Sequence, residues 1–250
     1  MFSSYSELAT EVYDLDKPVG HSFGDVEYYT QRLAGCKGRI LEAAVGSGRM
    51  LIPLLQAGYL VDGMDCSPQM LSSCRRRLQE RGLEAQLYEG LLQSFSLPST
   101  YEAIVIPAGS FLLLEKHEDA KAALRCMYDH LEPGGRIILD LYLPTDLSMG
   151  TVSTKTWETP DQHVITMESK RVEVNFLHQY TVSYLKYEKW KNGHLVKTEL
   201  QRFPLKWYGI EEFTLLLKSL RYSQISVSAG YQYGNPPSRT EQVFTFEACR

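Results

Sequence analysis

Between residues 40 and 143, short apolar runs alternate with segments in which apolar side chains recur every three or four positions. The short runs predict strands, and the longer segments predict amphipathic helices. The predicted strands cover residues 40–43, 60–64, 83–87, 103–106 and 136–143, and helices are predicted at residues 4–16, 24–34, 48–57, 68–81 and 118–131. Strands that alternate with helices favour a parallel, doubly wound α/β sheet.

The pattern changes after Pro144. Residues 151–208 are rich in Thr, Val, Tyr and Trp and have no helical period, and Asn192-Gly193 is typical of a tight hairpin turn. We therefore expect an inserted antiparallel sheet of three or four strands. A helix at residues 210–220 and strands at residues 223–229 and 242–248 are predicted to follow.

Composition narrows the class of protein. The 250 residues carry a net charge of −4, which gives no basic field for nucleic acid or for an anionic membrane. The one basic run, Arg75-Arg76-Arg77, is expected to be a solvated helix end. The five cysteines have no Cys-x-x-Cys spacing and the histidines are scattered, so we expect reduced thiols, no metal site and a cytoplasmic location. No signal sequence and no membrane span are expected.

The richest chemical motif is the segment from Glu42 to Gly48. A carboxylate ends the first strand, and a turn with Gly46 and Gly48 then opens a helix. This arrangement suits an adenosine-containing cofactor at the edge of an α/β sheet. Leu51 occupies the position of the third glycine of the dinucleotide fingerprint, which disfavours a nicotinamide cofactor. A tight turn from strand to helix without a ligand is the simpler alternative.

Two further motifs lie beside predicted strands of the same sheet. Asp65 ends the second strand, where a carboxylate accepts the hydroxyls of a ribose, although Asp65 could instead cap the next helix unless Ser67 does so. The turn Pro133-Gly134-Gly135 precedes the fifth strand.

In this order and spacing, the three motifs make the chain resemble the class I S-adenosylmethionine-dependent methyltransferases, over residues 35–143 and 207–249. The inserted sheet is similar to that of the small-molecule members of that family. The resemblance implies a doubly wound, mostly parallel, seven-stranded Rossmann-like sheet with an antiparallel sheet inserted after the fifth strand. It also implies that S-adenosyl-L-methionine is the cofactor.

The same resemblance assigns residues to the cofactor. Those expected to bind it are Tyr13, Glu42, Ala44, Gly46, Ser47, Gly48, Asp65, Cys66, Met70, Gly90, Leu91, Leu92 and Pro107. Ala44 and Leu91 depart from the family pattern, because glycine and aspartate are usual at those places. With Leu91, the adenine amino group loses its side-chain acceptor.

Tyr13, Tyr142 and His178 are the candidate catalytic residues. Tyr13 lies in a helix that family members fold over the cofactor, and Tyr142 ends the fifth strand. His178 is equally explained as a surface or packing residue.

The predicted function is in-line transfer of a methyl group to an N or O nucleophile of a small molecule. A protein methyltransferase and a non-catalytic sensor of adenosyl ligands are the alternatives. No nucleic-acid or membrane partner is expected, and the chain is expected to be a monomer or a homodimer.

The predicted division has three parts. Residues 1–34 form a helical lid, residues 35–146 and 207–250 form the cofactor-binding domain, and residues 147–206 form the inserted antiparallel subdomain.

Overall fold

The computed structural model describes residues 5–250. This part of the chain contains two sheets and six α-helices. The strands are β1 (Ile40–Ala43), β2 (Val61–Asp65), β3 (Leu87–Glu89), β4 (Tyr101–Ile106), β5 (Leu131–Leu141), β6 (Val152–Glu158), β7 (Val164–Asn175), β8 (Tyr180–Lys191), β9 (His194–Lys206), β10 (Ser223–Ala229) and β11 (Phe244–Cys249). The helices are α1 (Glu7–Asp16), α2 (Asp25–Arg32), α3 (Leu51–Gln56), α4 (Pro68–Gln79), α5 (His117–His130) and α6 (Ile210–Ser219).

The larger sheet has the strand order β10-β11-β5-β4-β1-β2-β3, in which β11 runs antiparallel to both of its neighbours. The remaining pairs are parallel. The predicted fold class is therefore confirmed. In such a sheet the carboxyl ends of β1, β2, β4 and β5 share one edge, and ligands of open α/β sheets bind there.

The smaller sheet contains β6, β7, β8 and β9, all antiparallel and in chain order. Its last hairpin turns at Asn192 and Gly193, whose φ angles of 49° and 77° are the positive values that a tight primed turn requires. The insertion predicted after the fifth strand is thus present, with four strands.

Two elements differ from the sequence-based prediction. The third strand, expected at residues 83–87, pairs only from Leu87, opposite Gly63. Before it, the Leu83 N–H still donates to the Leu78 carbonyl at the end of α4, and only the Gln86 carbonyl reaches β2, where it accepts the Gly63 N–H. The predicted turn Pro133-Gly134-Gly135 is an irregularity inside β5, where the register with β4 shifts and Gly134 has a φ of 79°.

Apolar side chains cover both faces of the larger sheet. Helices α5 and α6 pack on one face, and α2, α3 and α4 pack on the other. A third cluster joins α1 to the inserted sheet through contacts of Leu8 and Val12 with Ile165 and Tyr187. Within residues 5–250, no helix combines the length and the apolar character needed to cross a membrane.

The glycine turn between β1 and α3 packs against α4. Gly46 and Gly48 both have positive φ angles, of 55° and 84°. A Cβ atom on Gly48 would lie 2.8 Å from the Cys74 Sγ, whereas on Gly46 the nearest atom would be 3.9 Å away. Gly48 is therefore required by conformation and by space, and Gly46 by conformation alone.

We expect Gly46→Ala to lower the free energy of unfolding by about 1 kcal/mol, because only the left-handed conformation is penalised. Gly48→Ala should cost about 1–3 kcal/mol more, because the new methyl group overpacks the turn against Cys74. Urea denaturation checks both values. The double variant Gly48→Ala/Cys74→Ala should recover part of the loss, and strictly additive costs would contradict the steric explanation.

Candidate active site at the carboxyl edge of the sheet

Asp65 joins the second strand to the glycine turn. Its Oδ2 accepts the Gly46 N–H at 2.8 Å, and its Oδ1 accepts the Ser67 N–H at 2.8 Å. Ser67 accepts the Met70 N–H at 3.1 Å and is the cap of α4, so Asp65 does not serve as the cap. Burial raises the pKa of the Asp65 carboxyl, against the effect of these backbone donors. The carboxylate lies at the edge where a ligand binds.

Glu42 is the penultimate residue of β1 and is 2% exposed. Its Oε2 has no hydrogen-bond partner among the described residues. Burial, together with the nearby Asp25 and Asp65 carboxylates, raises the pKa of Glu42 to about 8, although Arg49 acts in the opposite direction. A buried polar atom without a partner is costly, so this oxygen suits a ligand that donates a hydrogen bond or carries a positive charge.

An ion pair that the sequence analysis missed lies below the glycine turn. The Arg49 Nη2 lies 2.5 Å from the Asp25 Oδ2, and both side chains are almost fully buried. The Arg49 Nη1 also donates to the His21 carbonyl at 2.7 Å. Burial alone would raise the pKa of Asp25, but Arg49 and backbone donors lower it overall. The pair fixes α2 and the segment before it against the turn.

The basic run on α4 was predicted to be solvated, and for Arg77 that prediction is wrong. Its Nη1 donates to the Ser47 Oγ at 2.8 Å, and its Nη2 lies 2.9 Å from the Asp14 Oδ1. Asp14 also accepts a hydrogen bond from Ser73. The periodicity of α4 places residue 77 beside Ser73 and Cys74, towards the glycine turn. Arg77 thereby holds α1 and the turn together.

Tyrosine side chains gather near this edge. The rings of Tyr5 and Tyr13 meet edge to face, with centroids 6.0 Å apart. Burial raises the pKa of Tyr5, and Tyr13, Tyr187, Tyr142 and Asp65 all lie near enough to raise it further. Tyr5 was not predicted as a site residue. Tyr5 therefore lies close to both predicted catalytic tyrosines and to Asp65.

Neighbouring groups also determine the pKa of Tyr13 and the position of the Tyr142 ring. Burial raises the pKa of the Tyr13 hydroxyl, while the Arg49 guanidinium acts in the opposite direction. Burial likewise raises the pKa of Tyr142. A Cβ atom on Gly109 would lie 2.2 Å from the Tyr142 Cε1, so the ring lies directly on the backbone of the turn after β4. The structure brings these two tyrosines to one region.

Asp140 fixes the turn after β4 by a hydrogen bond to its buried carboxylate. It is fully buried, and its Oδ2 accepts the Ala108 N–H at 2.8 Å and the Tyr231 hydroxyl at 3.0 Å. Its Oδ1 accepts hydrogen bonds from Tyr29 and Thr245. Burial raises the pKa of Asp140 to about 6 in spite of these donors.

His178 is placed differently. It lies exposed in the turn between β7 and β8, where its backbone N–H donates to the Asn175 Oδ1 at 2.9 Å. Its carbonyl accepts the Lys206 Nζ at 2.7 Å. His178 is not among the groups that lie near Tyr5, Tyr13 or Tyr142, so it is left out of the site that we propose below.

The remaining predicted cofactor residues surround the carboxyl ends of β1 to β4. The Gly90 N–H donates to the Asp65 carbonyl at 3.0 Å. Met70 is buried near Gly46, Pro107 is buried after β4, and Ala44 has a φ of 64°, the left-handed conformation that glycine adopts without strain. Cys66 is exposed, Leu91 is 49% exposed and Leu92 is partly buried. Among residues 5–250, no His, Cys, Asp or Glu cluster could hold a metal ion.

Comparison with known proteins identifies the class. Residues 40–135 match the family model described as a methyltransferase domain. Cypemycin N-terminal methyltransferase of Streptomyces sp is 28% identical over 145 residues, which is 58% of each chain. The dTDP-3-amino-3,6-dideoxy-alpha-D-glucopyranose N,N-dimethyltransferase of Streptomyces fradiae is 26% identical, over 70% of this chain and 72% of that protein. An S-adenosylmethionine-dependent methyltransferase from Clostridium acetobutylicum ATCC 824 has the same fold, with a TM-score of 0.77, 15% identity and 96% coverage of both chains.

The fold and the matched domain define an S-adenosylmethionine-dependent methyltransferase. S-adenosyl-L-methionine is the cofactor of proteins with this domain and fold. One observation shows directly that the residues present fit this cofactor. The unpartnered Oε2 of Glu42 is buried where a ligand ammonium or hydroxyl would supply the missing donor.

Proton release gives a test of the position of Glu42. With a pKa of about 8, this carboxyl is mostly protonated at pH 7, and a bound cation favours the ionised form. Binding of S-adenosylhomocysteine, which carries an ammonium group, should therefore release a proton from Glu42. The affinity of the protein for S-adenosylhomocysteine should rise with pH, by up to about tenfold per pH unit, and level off above the pKa of Glu42.

Calorimetry at pH 7 in phosphate and in Tris buffer measures the protons released. The wild type should release close to one proton more than Glu42→Gln, because protons from the ligand itself are common to both proteins. Equal proton release by the two proteins would contradict the placement of Glu42 beside the ligand.

Proposed function

We propose that this chain transfers the methyl group of S-adenosylmethionine to an amine of a small molecule. The observation that carries the proposal is the arrangement of the partly buried Tyr5, Tyr13 and Tyr142 near Glu42 and Asp65, at the carboxyl edge of the sheet. One relative named above is by name an N,N-dimethyltransferase of an amino sugar, and another is an N-terminal methyltransferase. A small-molecule acceptor is consistent with this likeness.

The cofactor, when bound, supplies an electrophilic methyl group on a positively charged sulfur. We assign its amino-acid end to Glu42 and the turn from Ala44 to Gly48, and its ribose to Asp65. Cys66, Met70, the segment from Gly90 to Leu92 and Pro107 would line the remainder. The backbone N–H groups of the glycine turn suit a carboxylate, and Arg77 holds Ser47 in place for that contact.

The tyrosines favour an amine over a hydroxyl as nucleophile. Because burial raises the pKa values of Tyr13 and Tyr142, both hydroxyls stay protonated at neutral pH and are poor bases. A neutral amine needs no base at the moment of attack, and a tyrosine oxygen can accept one of its N–H groups. Such a contact aims the nitrogen lone pair, and alignment can supply up to about 7–11 kcal/mol of the barrier reduction.

We also propose that residues 1–34, of which residues 1–4 lie outside the described part of the chain, act as a lid on the domain formed by residues 35–146 and 207–250. The contacts of α1 support this division. Glu199 of the inserted sheet accepts the Leu8 N–H at 2.8 Å, and Lys189 of the same sheet lies 2.8 Å from Glu11. On its other side, α1 reaches the glycine turn through Asp14 and Arg77. The insert, residues 147–206, would then hold the lid in place through α1.

Cofactor binding can be measured by titrating the wild type and Asp65→Ala with S-adenosylmethionine, S-adenosylhomocysteine and NADH. We expect saturable binding of both adenosyl ligands and none of NADH. Asp65→Ala should weaken binding by about tenfold or more, since a ribose contact to a charged group is lost. Asp62→Ala is a matched control, because Asp62 is a buried carboxylate of the same strand that pairs with Arg39. Absence of adenosyl-ligand binding by the wild type would overturn the proposed function.

The role of Tyr13 is tested with a panel of small primary amines and their matching alcohols, with S-adenosylhomocysteine formation as the readout. We expect turnover with amines. Tyr13→Phe should reduce kcat by about tenfold or more while the cofactor affinity stays within about threefold, because only the hydroxyl that aims the amine is removed. Tyr233→Phe, at an exposed tyrosine, is the control and should behave as the wild type. An unchanged kcat in Tyr13→Phe would refute the positioning role.

A further inference from the structure

A cavity of about 250 Å³ lies between the end of β5 and the inserted sheet. Its lining includes Tyr142, Asp146, Arg171, Thr181, Lys206 and Trp207. Tyr142 is the link to the proposed site, because its hydroxyl also lies close enough to Tyr5 to affect the pKa of that residue. The cavity is therefore next to the position assigned to the reacting amine.

Lys206 places a buried positive charge at this cavity. The residue is 5% exposed, and among the described residues its ammonium donates only to the His178 carbonyl, at 2.7 Å. Glu212 lies near enough to raise its pKa, but the Glu212 carboxylate accepts from Gln179 and Gly209 instead. Burial lowers the pKa of Lys206 overall. A buried ammonium without a contacting carboxylate is costly, and a bound anion would compensate it.

Arg171 is a second cation of the cavity with unused hydrogen-bonding capacity. Its Nε is buried and has no partner among residues 5–250. Its Nη1 donates to the Ser148 carbonyl at 3.2 Å and lies 3.6 Å from the Asp146 carboxylate, which is largely exposed. The unpaired N–H belongs to a planar group whose fork matches a carboxylate or a phosphate.

We propose that this cavity is a subsite for an anionic group of the methyl acceptor, a carboxylate or a phosphate, which Lys206 and Arg171 bind. This inference rests on the proposed function, because it places the amine of the same acceptor across Tyr142, towards Tyr13. Thr181 and Trp207 also line the cavity. An amine that also carries a negative group would be selected over a neutral amine, because only the former satisfies both cations.

Three probes on one ring system test the subsite without turnover: glucose, glucose 1-phosphate and glucuronate. Each is titrated by calorimetry into the full-length protein, with and without saturating S-adenosylhomocysteine. We expect at least one anionic probe to bind about tenfold more tightly than glucose, since charge-assisted bonds replace neutral ones. The tighter of the two anionic probes identifies the group as phosphate or carboxylate.

Variants connect that binding to the two cations. Lys206→Met and Arg171→Gln should each weaken the anionic probe by about tenfold while the affinity for S-adenosylhomocysteine stays unchanged, and Lys206→Arg should retain most of the binding. Lys186→Met, at a more exposed lysine of the same sheet, is the matched control. Two substitutions at separate places keep the test valid if one variant fails to fold.

The outcomes separate this inference from the proposed function. Equal binding of glucose and the anionic probes, no binding of any probe, or an unchanged anion affinity in both folded variants would overturn the subsite. Loss of adenosyl-ligand binding in the wild type, with anion binding intact, would overturn the proposed function and leave the anion site standing.

Discussion

The carboxylate of Asp140 connects more parts of the active-site edge than any other side chain described above. It accepts hydrogen bonds from Tyr29 of α2, Thr245 of β11, Tyr231 and the backbone of Ala108. A carboxylate offers about four acceptor positions, and here four donors from four segments converge on them. Removal of any one donor leaves a smaller network, but removal of the acceptor leaves four buried donors without a partner, which is the more costly change.

The position of Asp140 explains why the site is so closely tied to the sheet. Two residues later in the chain, Tyr142 lies on Gly109, and Asp140 fixes the backbone of the residue before that glycine. The turn after β4 and the tyrosine that covers it are therefore set by one buried carboxylate. This arrangement gives the proposed methyl-transfer site a hydrogen-bonded floor, which suits catalysis by alignment.

The opposite side of the site is held by arginines from two segments. Arg49 follows the glycine turn and pairs with Asp25, while Arg77 of α4 pairs with Asp14. Both pairs connect the N-terminal helices to the turn that we assign to the cofactor. A buried pair of this kind loses much when one partner is removed, so the helices and the turn are expected to act as a unit. The inserted sheet joins the same unit through its apolar contacts with α1.

Much of the fold and part of the site follow from the sequence, because they depend on local signals. Period-two and period-3.6 patterns located most strands and helices, and Asn192-Gly193 located a hairpin. The motif around Gly46 and Gly48 identified the edge of the sheet. Limits appeared where pairing overrides local pattern: the third strand begins at Leu87, and Pro133-Gly134-Gly135 is an irregularity within β5.

Tertiary structure alone decided which charges and hydroxyls meet. Asp25, Arg49 and Asp140 carry no local signal that distinguishes them from solvated charges, and the helical period of α4 gives the face of Arg77 but not its partners. Their burial and pairing depend on segments far apart in the chain, as with Asp140 and Tyr29. The sequence by itself determined the sheet, its insertion and the glycine turn with its two carboxylates, because these depend on neighbouring residues. The partners of those carboxylates and the cations of the cavity beside Tyr142 depend on distances that only the folded chain defines.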